Sequence, residues 1–405
     1  MTVIDVGRLV DGTAADPLDD ARLRIDDGRI AAAGPIEEVD APADEAHVSY
    51  PERTVVPGLI DAHLHLQGTR SMDPMDWVTV SDARAAARAT ADLESLLASG
   101  FTSVRDLGST TGVGLGRATA EGEIAGPRVF TSGQAISQTG GHGDVHALPY
   151  DWVADGEATI STLADGVDEC RRTVRRRLRE GVDAIKIMTT GGVLSERDEP
   201  DQTQFTPAEV EAMVEEAHRA GRPVASHAQG APGVKLALES GVDTIEHGFF
   251  LDDEAIELFE ETGAVFVPTL AIVHRIVEAG ADFGVPEHGL RKAREAAEAH
   301  LASTRRAYEA GVPIATGTDF LGAPLAPHGE NALEAELLVE SVGMDEREAL
   351  AAATRVAART LPTEDLGTLE VGNRADLVVI DGDPLADVTA LRDVVATYVG
   401  GDRLA

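Results

Sequence analysis

The sequence predicts an α/β protein, a (β/α)8 barrel of the TIM type joined to a small β-sandwich domain that both termini build together. Three observations predict it. Between residues 54 and 319, eight short β-branched runs alternate with Ala/Glu/Arg-rich stretches of helical period, the pattern of repeated β-α units around a parallel sheet. Both ends of the chain are β-rich and lack that alternation. The length, 405 residues, exceeds the roughly 250 residues of a lone α/β barrel and leaves room for a companion domain.

Taken in order, residues 1–53 form the first part of the sandwich. Their clearest strand signal is ARLRIDDGRIAAAG, with Asp27 and Gly28 near a hairpin turn. The barrel, 54–358, opens with TVVPGLIDAHLHL (54 to 66) and continues with TSVRDLG (102 to 108), RVFTSG (128 to 133) and DAIKIMTTGG (183 to 192). It closes with PVASHA (223 to 228), DTIEHG (243 to 248), AVFVPTL (264 to 270) and PIATGTD (313 to 319). The intervening PAEVEAMVEEAHRAG reads as a helix with an acidic first turn and a glycine stop. A helical stretch from about 328 to 358 returns the chain to the sandwich, whose second part, 359–405, holds TLEVG, ADLVVIDGD and VVATYVGGDRL.

Composition narrows the function classes. The formal charge of −37 comes from 71 acidic against 34 basic residues, and only Lys186, Lys235 and Lys292 are lysines. A surface this acidic repels nucleic acid and anionic membranes, and its self-repulsion is tolerated best where salt screens it, so a halophilic protein is expected. No apolar run approaches the roughly 20 residues that cross a bilayer. The N-terminus MTVIDVGRLVDG has no signal-peptide form and Cys170 is the single cysteine, so a cytoplasmic protein is expected. Its expected partners are a small-molecule substrate and further copies of itself in a homo-oligomer.

The chemistry is carried by residues at strand ends. His63 and His65 are two apart on a strand, so the period-2 alternation sends both imidazoles to one face as a two-pronged metal grip. Lys186, His227, His247 and Asp319 fall at the C-terminal ends of four further runs, and in a barrel all six converge on one mouth. An HxH pair alone is a weak sign of a metal; the convergence is what makes it specific. Lys186 stands between Ile185 and Ile187 in a chain almost emptied of lysine, which argues against a snorkelling surface lysine.

These segments resemble the amidohydrolase superfamily, within it the imidazolonepropionase-related group that includes prolidase-type Xaa-Pro dipeptidases. The resemblance covers nearly the whole chain and rests on PGLIDAHLHL, the lysine of DAIKIMTTGGVLS, SHA, EHG, TGTD and the tail GTLEVGNRADLVVIDGDPL. It implies two divalent metal ions, zinc being the expected metal, and a carbamate on Lys186 that bridges them. His63, His65 and Asp319 would hold one ion, His227 and His247 the other. A carbamate offers two anionic oxygens where a free ammonium would be repelled, and two metals acidify a bridging water, making Asp319 the general base and then the acid. The expected reaction is cleavage of an amide-type C–N bond in a dipeptide, Xaa-Pro or N-acyl amino acid. An imidazolonepropionase or deaminase is the alternative enzyme, and a lactonase or phosphotriesterase shares the ligand set with a weaker match to the flanking β segments. A catalytically silent scaffold is the non-enzymatic alternative.

The Gly-rich segment SQTGGHGDVHALP supplies His142, expected at the substrate carboxylate by resemblance to related dipeptidases, with His146 a weaker candidate and Asp144 a possible orienter of a neighbouring histidine. His274 and His328 follow the last two barrel strands and could line the mouth, whereas His47, His218, His288 and His300 read as ordinary strand or helix positions. Cys170, in a helical stretch, is expected to pack. Where the dipeptidase-like relatives carry a tyrosine in a TQYS-type segment, this chain has Phe205 in TQFT, which removes a hydroxyl from the expected carboxylate site.

Overall fold

The computed structural model describes residues 1–154 and 160–405. The predicted runs appear as the parallel strands Leu59–Leu64, Phe101–Asp106, Arg128–Thr131, Ile185–Met188, Val224–Gly230, Thr244–Phe250 and Val265–Val267. They fall into two sheets. The first three form one; the remaining four join two short strands, Ala135–Ser137 and Ser161–Leu163, in the other. The sheets meet where Asp183 N–H donates to Thr131 O at 2.7 Å and where Phe266 bridges to Ile314 and Leu64 to Phe320.

The eighth run is not a regular strand; besides the Ile314 bridge it is tied to its neighbours by single backbone hydrogen bonds, among them Ala62 N–H to Thr316 O and Ala315 N–H to Phe266 O, both 2.9 Å. Its backbone explains the difference. Gly317 passes so close to the strand Leu59–Leu64 that a Cβ there would lie 2.8 Å from His63 Cβ, and Asp319 adopts φ 58°, outside the extended region. Elsewhere the local signals were sufficient. The helix Pro207–Arg219 begins with a Thr206/Glu209 capping box and stops before Gly221 at φ 67°. The stretch from 328 to 358 is broken into Leu333–Leu337 and Glu346–Ala351, each running into a π-helical turn.

The small domain is built on one hydrogen-bonded strand order that turns back on itself, where Ile30 N–H donates to Asn373 O at 2.9 Å and Arg29 bridges to Arg374. Seven strands from both termini share it, because the 12-residue strand Ala46–Pro57 pairs parallel with Thr2–Leu9 and antiparallel with Leu377–Ile380. Ile4, Leu23 and Ile30 from one end pack with Leu377, Val379 and Tyr398 from the other. Burying these apolar faces together ties the two ends of the chain into one core. Cys170 lies fully buried in the main core, and burial pushes its thiol up to about 12, which suits packing and not nucleophilic chemistry.

Candidate metal centre

Five of the six strand-end donors are nearly buried and all six line one cavity of about 230 Å³, together with His142. His63, His65 and Asp319 form its tightest group, with one ligand atom from each within 4.8 Å of the others. His65 Nε2 lies 2.9 Å from Asp319 Oδ1 and His63 Nε2 lies 3.5 Å from the same oxygen. The second pair stands alongside. The His227 and His247 rings are 4.5 Å apart, and His247 is 5.0 Å from His63.

Hydrogen bonds behind the rings decide which nitrogen faces the cavity. His63 Nδ1 is 2.8 Å from Glu246 Oε2 and His65 Nδ1 is 2.9 Å from the Gly108 carbonyl, so both Nδ1 atoms carry the proton and His63 Nε2 offers a lone pair; for His65, burial would lower the pKa, but the Asp319 carboxylate 2.9 Å from Nε2 outweighs it and raises it. In His227 the order is reversed: Nε2 donates to the Gly191 carbonyl at 3.1 Å and leaves Nδ1 bare. Thr269 Oγ1 holds His247 Nδ1 at 2.7 Å. Burial first, then neighbouring positive charge, drives the pKa of His63, His227 and His247 well below the ordinary value, so these rings are neutral and able to ligate. Burial would raise the Asp319 pKa, but the adjoining histidines and Lys186 outweigh it and hold the carboxyl below its usual range.

His247 and Asp319 sit at φ 77° and 58°, and Thr269, the partner of His247, at φ 57°. Each is a non-glycine residue in the left-handed region, at a cost of about 1–3 kcal/mol. The strain falls at the positions that aim the two ligands.

Lys186 is 2% exposed, its Nζ has no hydrogen-bond partner, and burial lowers its pKa to about 8. An orphaned amine among neutral imidazoles and a carboxylate is poorly explained by packing. It fits a two-metal centre in which the lysine becomes an anionic ligand. The histidine nitrogens, the carboxylate and this amine are a donor set suited to zinc-like divalent ions.

Sequence reasoning missed the residues that hold the ligands. Glu246, fully buried, takes Arg105 Nη2 at 2.8 Å as well as His63, and Arg105 Nε donates to Ala62 O at 2.6 Å. Asp61 accepts the His63 N–H at 2.9 Å and the Thr318 hydroxyl at 2.7 Å, joining the strand Leu59–Leu64 to the Asp319 segment. Glu246 and Asp61 each had a signal, an acidic residue next to or two before a ligand histidine. Arg105 had none.

The remaining histidines sort themselves by contact. His142 lines the cavity, stacked 4.1 Å from His227, and its Nδ1 is 3.1 Å from Ser195 Oγ. The serine hydroxyl gives its own proton to Asp198 or the Gly192 carbonyl, which only accept, so His142 Nδ1 must be the donor and Nε2 carries the lone pair. A Cβ on Gly192 would meet the His142 ring at 2.2 Å, which is why a glycine stands there. His146 and His288 also line the cavity, the latter against expectation, with His288 Nε2 3.2 Å from Leu194 O. His328 lies behind His65, bonded to its carbonyl at 3.1 Å, whereas His274 pairs with Glu278. His47 and His218 pair with Asp5 and Asp243, and His300 bonds to Pro268 O. Asp144 takes the Gly140 N–H at 2.9 Å in place of the histidine contact expected of it.

Phe205 corrects another expectation. It packs in the core at φ 60°, its N–H held by Gln138 Oε1 at 2.7 Å, and is not among the described residues lining the cavity.

Comparison with known proteins identifies the family. The Amidohydrolase family model matches residues 54–404. An ochratoxinase of Aspergillus niger is 35% identical over 422 residues, covering 99% of this chain and 86% of that protein. Its crystal structure superposes with a TM-score of 0.91, covering 99% of this chain and 95% of that one. A Xaa-Pro dipeptidase with methionine bound in its active site is 34% identical, with a TM-score of 0.91 and 99% of both chains covered. An imidazolonepropionase of Rhizorhabdus wittichii is 27% identical over 405 residues, 91% of this chain and 90% of that protein. The chain belongs to the amidohydrolase family and is a hydrolase acting on carbon–nitrogen bonds.

Proposed function

We propose that this protein is a two-metal hydrolase that cleaves the amide-type C–N bond of a small N-acyl amino acid or dipeptide, Xaa-Pro dipeptides included. The observation that carries the reading is the orphaned, buried Lys186 amine in the same cavity as His63, His65, His227, His247 and Asp319. With carbon dioxide the neutral amine forms a carbamate and releases a proton, which converts an unsatisfied donor into an anionic ligand. His63, His65 and Asp319 would then hold one divalent ion, His227 and His247 the other, and the Lys186 carbamate both. Such ions supply Lewis acidity to a carbonyl oxygen and acidify water.

The protein's own groups do the rest. Asp319, charged at neutral pH, takes the proton of the attacking water and delivers it to the departing nitrogen. Glu246 and Gly108 keep His63 and His65 in the tautomer that presents Nε2. His142 is the proposed contact for a substrate carboxylate. Burial lowers the pKa of His142 and its Nδ1–H is committed to Ser195, so the free ring presents a bare Nε2, and the contact requires the incoming carboxylate to draw a proton onto that nitrogen. Met72, Trp77, Leu107, Ile272 and Leu321 give the cavity an apolar wall for the rest of the substrate.

We take the two parallel sheets and the bridged eighth run as the staves of one (β/α)8 barrel, 54–358, flanked by the β domain of 1–53 and 359–405. No helix among the described residues is long and apolar enough to cross a membrane, and the charge of −37 supports a protein adapted to high salt. A screen of dipeptides, N-acyl amino acids, hydantoins and lactones in molar salt tests the assignment. The highest kcat/KM should fall on open-chain amides with a free carboxylate. Faster turnover of lactones or hydantoins would overturn the substrate class and leave the metal centre standing.

A further inference from the structure

One buried polar atom in the cavity is used by none of the chemistry above. On the strand Val224–Gly230, Gln229 follows His227 by two residues, at the register shift between Ala228 and Gly230, and both residues line the cavity. Gln229 is 3% exposed, and its Oε1 is buried without a hydrogen-bond partner among the described residues. Its backbone is fixed, since Thr190 Oγ1 accepts the Gln229 N–H at 3.0 Å. A buried carboxamide oxygen left unpaired is costly, and a cavity wall is where a ligand can satisfy it. An amide oxygen only accepts, so the ligand must bring a donor.

We propose that Gln229 is a specificity-determining residue whose side-chain oxygen accepts an N–H carried by the substrate close to the scissile carbonyl. The inference rests on the amide-hydrolase reading and sharpens it. Two substrate groups offer that N–H: the secondary amide of an N-acyl amino acid and the free amino group of a dipeptide. A site that pairs a buried acceptor with a substrate donor discriminates strongly against the analogue that lacks the donor, because the acceptor is then left unpaired.

The test uses two matched pairs with the metal-loaded protein. One pair is an N-aroyl amino acid and its N-methyl derivative; the other is an Xaa-Pro dipeptide and its desamino analogue. In at least one pair the wild type should prefer the N–H compound by about 10–100-fold in kcat/KM. Gln229→Leu should bring that ratio to within about 3-fold of unity with an unchanged metal content, while Gln229→Glu, which retains an acceptor, should restore part of it. The pair that shows the effect identifies the donor. Equal turnover within both pairs by the wild type, or the same ratio in wild type and Gln229→Leu, overturns the proposal. Affinities of the same four compounds for Asp319→Asn, read by calorimetry with and without Gln229→Leu, decide the role of Gln229 independently of turnover. Failure of the wild type to cleave any of them overturns the amide-hydrolase reading instead.

Discussion

Glu246 grips His63 from behind the cavity: its Oε2 lies 2.8 Å from His63 Nδ1, while its Oε1 takes the Arg105 guanidinium at 2.8 Å. The three side chains are almost wholly buried, so the carboxylate at once fixes the histidine tautomer and neutralises an arginine in the core. Glu246→Gln keeps the shape but removes the charge. Metal affinity should fall by about 10–100-fold, the usual consequence of losing the carboxylate behind a ligating histidine. The fold should lose up to about 3–5 kcal/mol, because Arg105 is left buried without its anionic partner. A chelator titration and a denaturant melt check the two effects separately.

Asp319→Asn removes a base while leaving an oxygen beside His65 Nε2. Turnover should fall to less than about a tenth of wild type while most of the metal stays bound, and kcat should fall far more than KM changes. Higher residual activity would remove Asp319 from the proton-transfer role.

The ligand positions were legible because they carry local signals: His63 and His65 by their spacing, Lys186 by the scarcity of lysine, Asp319 by closing TGTD. What positions them was less so. Arg105 and Glu246 are 141 residues apart and meet only through the fold. Periodicity marked the eighth run as a strand, but the close approach of Gly317 to His63 and the positive φ of Asp319 break it. The β domain was legible in content and not in layout, since nothing local says that Ala46–Pro57 will pair with strands from both termini. A motif comparison placed position 205 at the substrate, and only packing shows that Phe205 faces the core.

Glu334 gives a pH-dependent prediction. Burial pushes its carboxyl up to about 8, although it accepts the Leu270 N–H at 2.9 Å and the Ala271 N–H at 2.7 Å. A folded pKa above the unfolded value means that its contribution is fully present below the ordinary carboxylate pKa and is lost as pH rises towards about 8. Glu334→Gln should therefore be less stable than wild type at pH near 5, by about 1–3 kcal/mol for a poorly satisfied N–H. The deficit should shrink as pH approaches 8. Paired thermal melts across that range read the difference, and a deficit that grows with pH would contradict the raised pKa.

The charge of −37 predicts a salt response. As salt falls towards roughly 0.01 M, the Debye length lengthens to about 30 Å and carboxylate repulsion goes unscreened. Melting temperature and activity should both rise between roughly 0.05 and 2 M potassium chloride. Flat melts across that range would remove the halophilic reading without touching the metal centre.

The central claim is a two-metal site organised by Lys186, and metal counting on protein supplied with zinc and bicarbonate tests it most directly. Wild type should bind about two ions per chain and Lys186→Ala clearly fewer, with a short carboxylic acid restoring part of the metal and activity. A wild type that binds no metal or a single ion after supplementation, or a Lys186→Ala protein that keeps both ions with no response to the added acid, would contradict the account.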